Sequence, residues 1–174
     1  MLYRPLGSSG LSVPPVVLGG NVFGWTADEA TSFAVLDAAF EAGLTAIDTA
    51  DVYSRWVAGH VGGESETILG RWLTARPGHR QRIVLITKVG LDMGADASGL
   101  PARGLSARWI EQAVEGSLRR LGVETIDHFF SHRPDDTAPY EETLAAYGRL
   151  IAAGKVRSIG ASNFSAAQLG AALD

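Results

Sequence analysis

The sequence contains no cysteine, which excludes a disulfide scaffold, a thiolate nucleophile, an iron–sulfur cluster and a cysteine-based zinc site. It has no long run of lysine or arginine, and a net charge of −4 does not favour a nucleic-acid partner. No apolar stretch approaches the ~18 residues that a membrane-spanning helix needs, and the first residues lack the apolar core of a signal peptide. These absences predict a cytoplasmic enzyme that acts on a small molecule, with no nucleic-acid or membrane partner.

Two glycine-rich nucleotide-binding motifs are also missing. The segment 18–24 after the first predicted strand does not contain Gly-x-Gly-x-x-Gly, which argues against a Rossmann dinucleotide fingerprint. The Gly-x-x-x-x-Gly-Lys-Ser/Thr pattern of a P-loop is absent as well. His60 and His79 have no carboxylate or histidine at ligand spacing, so the sequence predicts no metal site.

What the sequence does contain is a regular alternation of strands and helices. Apolar residues make up 46% and charged residues 20%, a balance typical of a folded globular chain. Short apolar runs bounded by turn residues are predicted as strands at 16–18, 45–47, 83–87, 126–130 and 157–161. Helical periodicity occupies the segments between them. Helices are predicted from Thr26 or Asp28 to 42, over 64–75, 106–121 and 139–153, and from 165 onward. This alternation predicts an α/β fold with a parallel sheet.

The spacing of the strands leaves two architectures open. Residues 1–14 are predicted to contain a β-hairpin, and the βα units occupy 15–174 within a single domain. The strands begin roughly 30–43 residues apart, so a (β/α)8 barrel of such units would need about 280 residues. Five units fit either an open doubly wound sheet or part of a barrel, and spacing alone does not choose between them.

Polar side chains follow four of the predicted strands: Asp48, Lys88, His132 and the pair Ser162–Asn163. Tyr53 lies five residues beyond Asp48 in the same loop. In parallel α/β folds the carboxyl ends of the strands converge on one rim, which carries the active site. Each residue alone also has a structural explanation, as a turn cap, a solvated strand end, a packing residue or a loop histidine. Trp25 and Trp56 follow the first and second strands and either line a pocket or pack in their loops.

Together these residue types suit proton donation to a carbonyl oxygen. A tyrosine has an ordinary pKa of ~10, and a nearby ammonium is expected to lower it. Asp48 would pair with Lys88 and keep it charged when water is excluded. His132 would orient or polarise the substrate carbonyl. Such a set supplies no hydride, so a reduced nicotinamide is needed as well.

These residues resemble the aldo-keto reductase family. The matching stretches run in the family's order across nearly the whole chain, at 48–53, 63–66, 69–70, 87–88, 117–121, 126–135 and 159–164. Residues 53–56 and 62–66 are most similar to bacterial members of the potassium-channel β-subunit-like branch. The resemblance implies a (β/α)8 TIM-type barrel that uses NADPH, or alternatively NADH, without a Rossmann domain.

The resemblance also assigns roles to individual residues. It implies that Tyr53 is the general acid, that Lys88 and Asp48 are its tuning pair, and that His132 orients the carbonyl of an aldehyde or ketone. The residues implied to bind the cofactor are Gly20, Asn21, Phe23, Asp48, Ser162 and Asn163, and those implied to line the substrate pocket are Trp25 and Trp56. The N-terminal hairpin matches the plug that closes the barrel bottom.

Members of this family are longer than this sequence. We therefore expect residues 1–174 to be the N-terminal part of a truncated barrel, with about five of eight βα units. Such a part would expose an unpaired strand edge, through which it could self-associate. Two further hypotheses remain open: a nicotinamide-binding regulatory module with little turnover, and an inactive half-barrel remnant.

Overall fold

The computed structural model describes residues 2–173, which contain a two-stranded hairpin and a five-stranded parallel sheet. The hairpin pairs β1 (Arg4–Pro5) with β2 (Ser12–Val13). The sheet consists of β3 (Leu18–Gly19), β4 (Ala46–Asp48), β5 (Val84–Val89), β6 (Ile126–Ser131) and β7 (Val156–Ala161). These five strands are hydrogen-bonded in chain order without a reversal. The predicted α/β fold is confirmed, and the strand order is that of a (β/α)8 barrel, not of a doubly wound sheet.

A helix follows each strand of the parallel sheet. The helices are α1 (Glu29–Glu41), α2 (Glu64–Ala75), α3 (Ala107–Leu121), α4 (Tyr140–Ala152) and α5 (Ala166–Leu173). Asp28 caps α1 by accepting a 2.8 Å hydrogen bond from the backbone of Thr31, and Ser106 caps α3. Gly122 ends α3 in the left-handed conformation, with φ at 66°. The helix limits predicted from caps and terminal glycines are confirmed to within about two residues.

Four strands differ from the prediction in length: β3 is one residue shorter, and β5, β6 and β7 are each one residue longer. Strand β3 begins at Leu18, two residues later than predicted, and Val16 and Val17 are exposed. Pro14 and Pro15 precede them and have no N–H groups, so they cannot donate to a ladder. Strand β5 continues to Val89, which places Lys88 inside the strand, in register with Phe130 of β6.

The core lies between the sheet and its helices. Its fully buried side chains include Leu85 and Phe129 from the sheet and Trp72, Ile110 and Leu121 from α2 and α3. Gly70 lets α2 approach α3 closely, since a Cβ there would lie 2.2 Å from the carbonyl oxygen of Arg120. This packing holds the strands in place. It therefore also holds their carboxyl ends, which carry the polar residues.

The hairpin lies at the amino ends of the strands, opposite those polar residues. The Tyr3 hydroxyl donates a 2.9 Å hydrogen bond to the Gly43 carbonyl and lies 3.1 Å from the Thr45 hydroxyl, just before β4. Within the described chain, the edge strands β3 and β7 each pair on one side. None of the helices in residues 2–173 is both long and apolar enough to cross a membrane.

Candidate active site

The carboxyl ends of β4, β5 and β6 bring three of the predicted residues to one rim. Asp48 is the last residue of β4, Lys88 is next to last in β5, and His132 directly follows β6. The backbone N–H of His132 donates to the Val89 carbonyl at 2.8 Å, which continues the β5–β6 pairing past the strand end. The parallel register alone therefore places a carboxylate, an ammonium and an imidazole side by side.

Tyr53 joins this group through its hydroxyl. The Lys88 Nζ lies 2.7 Å from the Tyr53 Oη and 2.5 Å from the Asp48 Oδ2. The Tyr53 hydroxyl also donates to the Asp48 Oδ2 at 3.2 Å. Lys88 donates in addition to the Thr49 carbonyl at 2.9 Å and is buried, with 6% of its surface exposed. The ammonium is held by three oxygens in a place that excludes most water.

The loop after β4 is shaped to return Tyr53 over Lys88. Its first residues stay close to β5, since the Thr49 N–H donates to the Ile86 carbonyl at 2.9 Å and the Asp51 N–H donates to the Lys88 carbonyl at 3.3 Å. The chain then turns at Ser54, which has a φ of 72°. The buried Ser54 hydroxyl donates to the Phe23 carbonyl at 2.7 Å, a contact that helps to hold this left-handed conformation.

The electrostatics of Tyr53 differ from the expectation. We expected Lys88 to lower the pKa of the phenol, but burial and the adjacent Asp48 carboxylate raise it well above its usual range. Burial lowers the pKa of Lys88, while Asp48 acts in the opposite direction. From the sequence we predicted that Asp48 interacts only with Lys88. In the structure the Asp48 carboxylate also raises the pKa of Tyr53. The phenol keeps its proton at neutral pH.

His132 faces Tyr53 as a neutral imidazole. The two ring centroids are 5.8 Å apart, and the planes meet at 76°. Burial, together with the charges of Lys88 and Arg133, lowers the pKa of His132 from 6.5 to about 4. Its Nδ1 is buried without a hydrogen-bond partner in residues 2–173. A neutral imidazole can donate one hydrogen bond to a carbonyl oxygen placed beside the phenol.

The two tryptophans form a wall beside Tyr53. Trp25 and Trp56 meet edge to face with centroids 5.6 Å apart, and Trp56 meets Tyr53 in the same way at 6.2 Å. Each indole is half exposed. Large aromatic surfaces are therefore left open next to the phenol.

Ser162 and Asn163 also reach this rim. The Ser162 N–H donates to the Ser131 carbonyl at 2.9 Å, and the Asn163 Nδ2 donates to the His132 carbonyl at 2.8 Å. Asn163 adopts a left-handed conformation with φ at 61° and is exposed. A hydroxyl and an amide next to His132 have the hydrogen-bonding groups that a nicotinamide carboxamide requires.

The predicted cofactor residues after β3 are placed differently from one another. Phe23 is 1% exposed and belongs to the core, so its side chain has no free surface for a cofactor. The Gly20 N–H donates to the Asp48 carbonyl, and its own carbonyl accepts from the Ser65 hydroxyl, each at 2.7 Å. The backbone of Gly20 therefore links the end of β3 to β4 and to α2, while Asn21 is exposed at the rim. Of the three residues expected to bind the cofactor in this loop, Asn21 alone has a side chain that is exposed.

A buried ion pair beneath Lys88 had no role in the sequence prediction. The fully buried Glu66 accepts from the Thr87 hydroxyl and from the Arg120 Nε, each at 2.6 Å. It thereby joins α2 and α3 to the residue before Lys88. The sequence does contain a sign of this pair, because Glu66 has the helical spacing that places it on the same face as the buried Leu69 and Leu73. A carboxylate on a buried face needs a positively charged or hydrogen-bonding partner.

Asp51 is a second buried acid that the prediction passed over. It is 1% exposed, and neither carboxyl oxygen has a hydrogen-bond partner among residues 2–173. Burial and the nearby Glu66 raise the pKa of Asp51 well above its usual range, against the attraction of Arg120. Asp48 is paired with Lys88, and Glu66 is paired with Arg120. If Asp51 is protonated and neutral, the negative and positive charges in this buried group are equal in number.

Comparison with known proteins identifies the family of this chain. The Aldo/keto reductase family model matches residues 15–174. The uncharacterized oxidoreductase YrpG of Bacillus subtilis is 37% identical over 167 residues, covering 95% of this chain and 50% of its own. The 6-dehydroglucose reductase of Novosphingobium aromaticivorans is 36% identical over 175 residues, covering 97% of this chain and 54% of its own.

A third relative is much shorter. The uncharacterized 11.2 kDa protein in the crtE 3′ region of Pseudescherichia vulneris is 63% identical over 95 residues, or 55% of this chain and 92% of its own. By contrast, the chain spans about half the length of YrpG and of 6-dehydroglucose reductase. The family match and the parallel sheet agree with the family resemblance inferred from the residues at the strand ends. The chain belongs to the aldo/keto reductase family.

Proposed function

We propose that this chain carries the proton-transfer site of an NADPH-dependent oxidoreductase that reduces an aldehyde or ketone to an alcohol. One observation supports the proposal above all: the Tyr53 hydroxyl lies 2.7 Å from the Lys88 ammonium and 3.2 Å from the Asp48 carboxylate. A protonated phenol next to a buried cation is suited to protonate an oxygen on which negative charge develops.

Each residue of the site has a distinct task in this reaction. The Tyr53 Oη donates its proton to the carbonyl oxygen as the alcohol forms, and the Lys88 ammonium stabilises the phenolate that remains. The neutral imidazole of His132 donates a hydrogen bond to the same carbonyl oxygen and orients it. Asp48 holds Lys88 in its charged form. Trp25 and Trp56 flank the substrate and exclude water.

The cofactor is the source of the hydride in this proposal. A bound reduced nicotinamide supplies two electrons and one hydrogen to the carbonyl carbon. Ser162 and Asn163 would hold its carboxamide, with Asn21 on the opposite side of the rim. We propose NADPH from the family resemblance, with NADH as the alternative, and parallel titrations with both cofactors decide between them.

A nicotinamide-binding regulatory module is the second candidate function. The raised pKa of Tyr53, caused by burial and by Asp48, makes its proton harder to give up, which would slow turnover. The purified chain should be tested for NADPH oxidation with a panel of sugars, small aldehydes and quinones, and for NADPH binding by fluorescence. Turnover supports the reductase, binding without turnover supports the module, and the absence of both contradicts the two functions alike.

The domain organisation enters the proposal as well. We propose that the hairpin and the five βα units belong to one barrel domain, and that the open edges of β3 and β7 allow self-association. Light scattering on the purified chain tests the proposed self-association, because a monomer has a mass of 18.4 kDa. A cytoplasmic location stays a prediction of the sequence.

A further inference from the structure

A cavity of about 680 Å³ lies between the loops that follow β5 and β6. Its lining begins at Gly90, two residues after Lys88, and includes Arg133, the residue after His132. Arg103, from the loop between β5 and α3, lines it as well. Its volume lies within the range of small-molecule pockets.

The two loops that form this cavity are fastened to each other. The Asp135 carboxylate accepts from the Leu105 N–H at 2.7 Å, which ties the loop after β6 to the loop after β5. The Gly104 N–H donates to the Gly90 carbonyl at 3.0 Å. Gly104 has a φ of 80°, and a Cβ there would lie 2.3 Å from Asp135. Arg103 and Arg133 are therefore carried by loops with a defined geometry.

Three arginines and two aspartates line the cavity: Arg108 pairs with Asp96 outside the lining, and Asp135 keeps its negative charge because the groups that donate to it are neutral. Asp135 is engaged by backbone and hydroxyl donors from Leu105 and Thr137. Asp92 lies 3.9 Å from Arg103, and both side chains are more than half exposed, which makes this a weak pair. Arg133 makes no ion pair within residues 2–173. A guanidinium without a carboxylate, facing a cavity, is suited to bind an anion in a bidentate manner.

We propose that Arg133, supported by Arg103, binds an anionic group of the substrate, so that the preferred substrates are aldehydes or ketones carrying a carboxylate or phosphate. Arg133 directly follows His132, so the loop after β6 carries both the group proposed to bind the anion and the group proposed to bind the carbonyl oxygen. The charge of Arg133 also reaches His132, where it helps to lower the pKa of the imidazole. This inference rests on the proposed reductase function.

The test compares 4-carboxybenzaldehyde with its neutral analogue 4-formylbenzamide. The full chain is assayed with NADPH as wild type, as Arg133→Gln and as Arg119→Gln, a control that removes an exposed arginine of α3. We expect wild type to have the higher kcat/KM for the carboxylate. The ratio of the two kcat/KM values should fall about tenfold in Arg133→Gln and stay unchanged in Arg119→Gln, as for the loss of a charge-assisted hydrogen bond.

Binding measurements separate this inference from the reductase function. Terephthalate, which needs no turnover, is titrated into each variant by calorimetry, and NADPH is titrated in parallel. Weaker terephthalate binding in Arg133→Gln supports the anion site even if neither aldehyde is reduced. The inference is overturned if wild type reduces both aldehydes equally well, or if it binds no terephthalate. It is also overturned if Arg133→Gln weakens NADPH alone, since the arginine would then serve the cofactor.

Discussion

The Lys88 ammonium and the Tyr53 hydroxyl lie 2.7 Å apart, with the same ammonium 4.6 Å from the centroid of the tyrosine ring. Both contacts depend on a loop that leaves β4, follows β5 and turns back at Ser54. A buried cation in this position favours the phenolate, while Asp48 favours the phenol. The balance between these two neighbours sets how readily the proton leaves.

Removing the cation should therefore disable proton transfer. In Lys88→Met, Asp48 and the phenol lose their shared positive partner, so the pKa of Tyr53 should rise further and the rate of carbonyl reduction should fall about 10²- to 10⁴-fold. Steady-state kinetics measure the rate. Lys155→Met, which removes a partly exposed lysine paired with Glu115, is the matched control and should keep wild-type activity.

The neutral imidazole of His132 makes a prediction about stability and pH. Its folded pKa of about 4 lies below the ordinary 6.5, so between these values the unfolded chain binds more protons than the folded chain. The free energy of unfolding should consequently fall as the pH is lowered from 6.5 towards 4, and this contribution is fully present above 6.5. Denaturant titrations should show a weaker dependence in this window for His132→Gln. Identical profiles for the two proteins would contradict a buried neutral His132.

The Glu66–Arg120 pair should contribute strongly to folding because Glu66 is fully buried. Arg120→Met leaves that carboxylate without its cation and should lower the free energy of unfolding by about 3–5 kcal/mol. Arg71→Met breaks the exposed pair with Glu29 and should cost at most about 1 kcal/mol. Chemical denaturation of both variants measures the contrast, and equal losses would show that burial of the pair is unimportant.

Two helical glycines should respond oppositely to alanine. Gly70→Ala places a Cβ 2.2 Å from the Arg120 carbonyl, so α2 and α3 must separate and stability should fall by about 1–3 kcal/mol. Gly148 in α4 has nothing within 4 Å of the added Cβ. Gly148→Ala should therefore stabilise the chain by up to about 1 kcal/mol through helix propensity alone. Thermal unfolding of the two variants checks the difference in sign.

The sequence predicted most of the fold because its signals are local. Asp28 and Ser106 act as helix caps and Gly122 as a stop, as their residue types indicate. The extent of β3 was not predictable in this way, since Val16 and Val17 have strand-like side chains but follow two prolines.

The candidate site was predictable only in part. Residues at strand ends, such as Asp48 and His132, converge by topology, so their neighbourhood follows from chain order. The direction of the pKa shift of Tyr53 does not, because it depends on how deeply the phenol is buried and on its 3.2 Å distance to Asp48. The burial of Phe23 and the pairing of Glu66 with Arg120 likewise depend on contacts between elements distant in sequence.

The most direct test of the proposed proton transfer compares two tyrosine variants. NADPH-dependent carbonyl reduction is measured for wild type, Tyr53→Phe and Tyr140→Phe, the last removing a hydroxyl at the start of α4. We expect Tyr53→Phe to lose about 10²- to 10⁴-fold in kcat and Tyr140→Phe to match wild type. Full activity in Tyr53→Phe would contradict the assignment of its phenol as the proton donor.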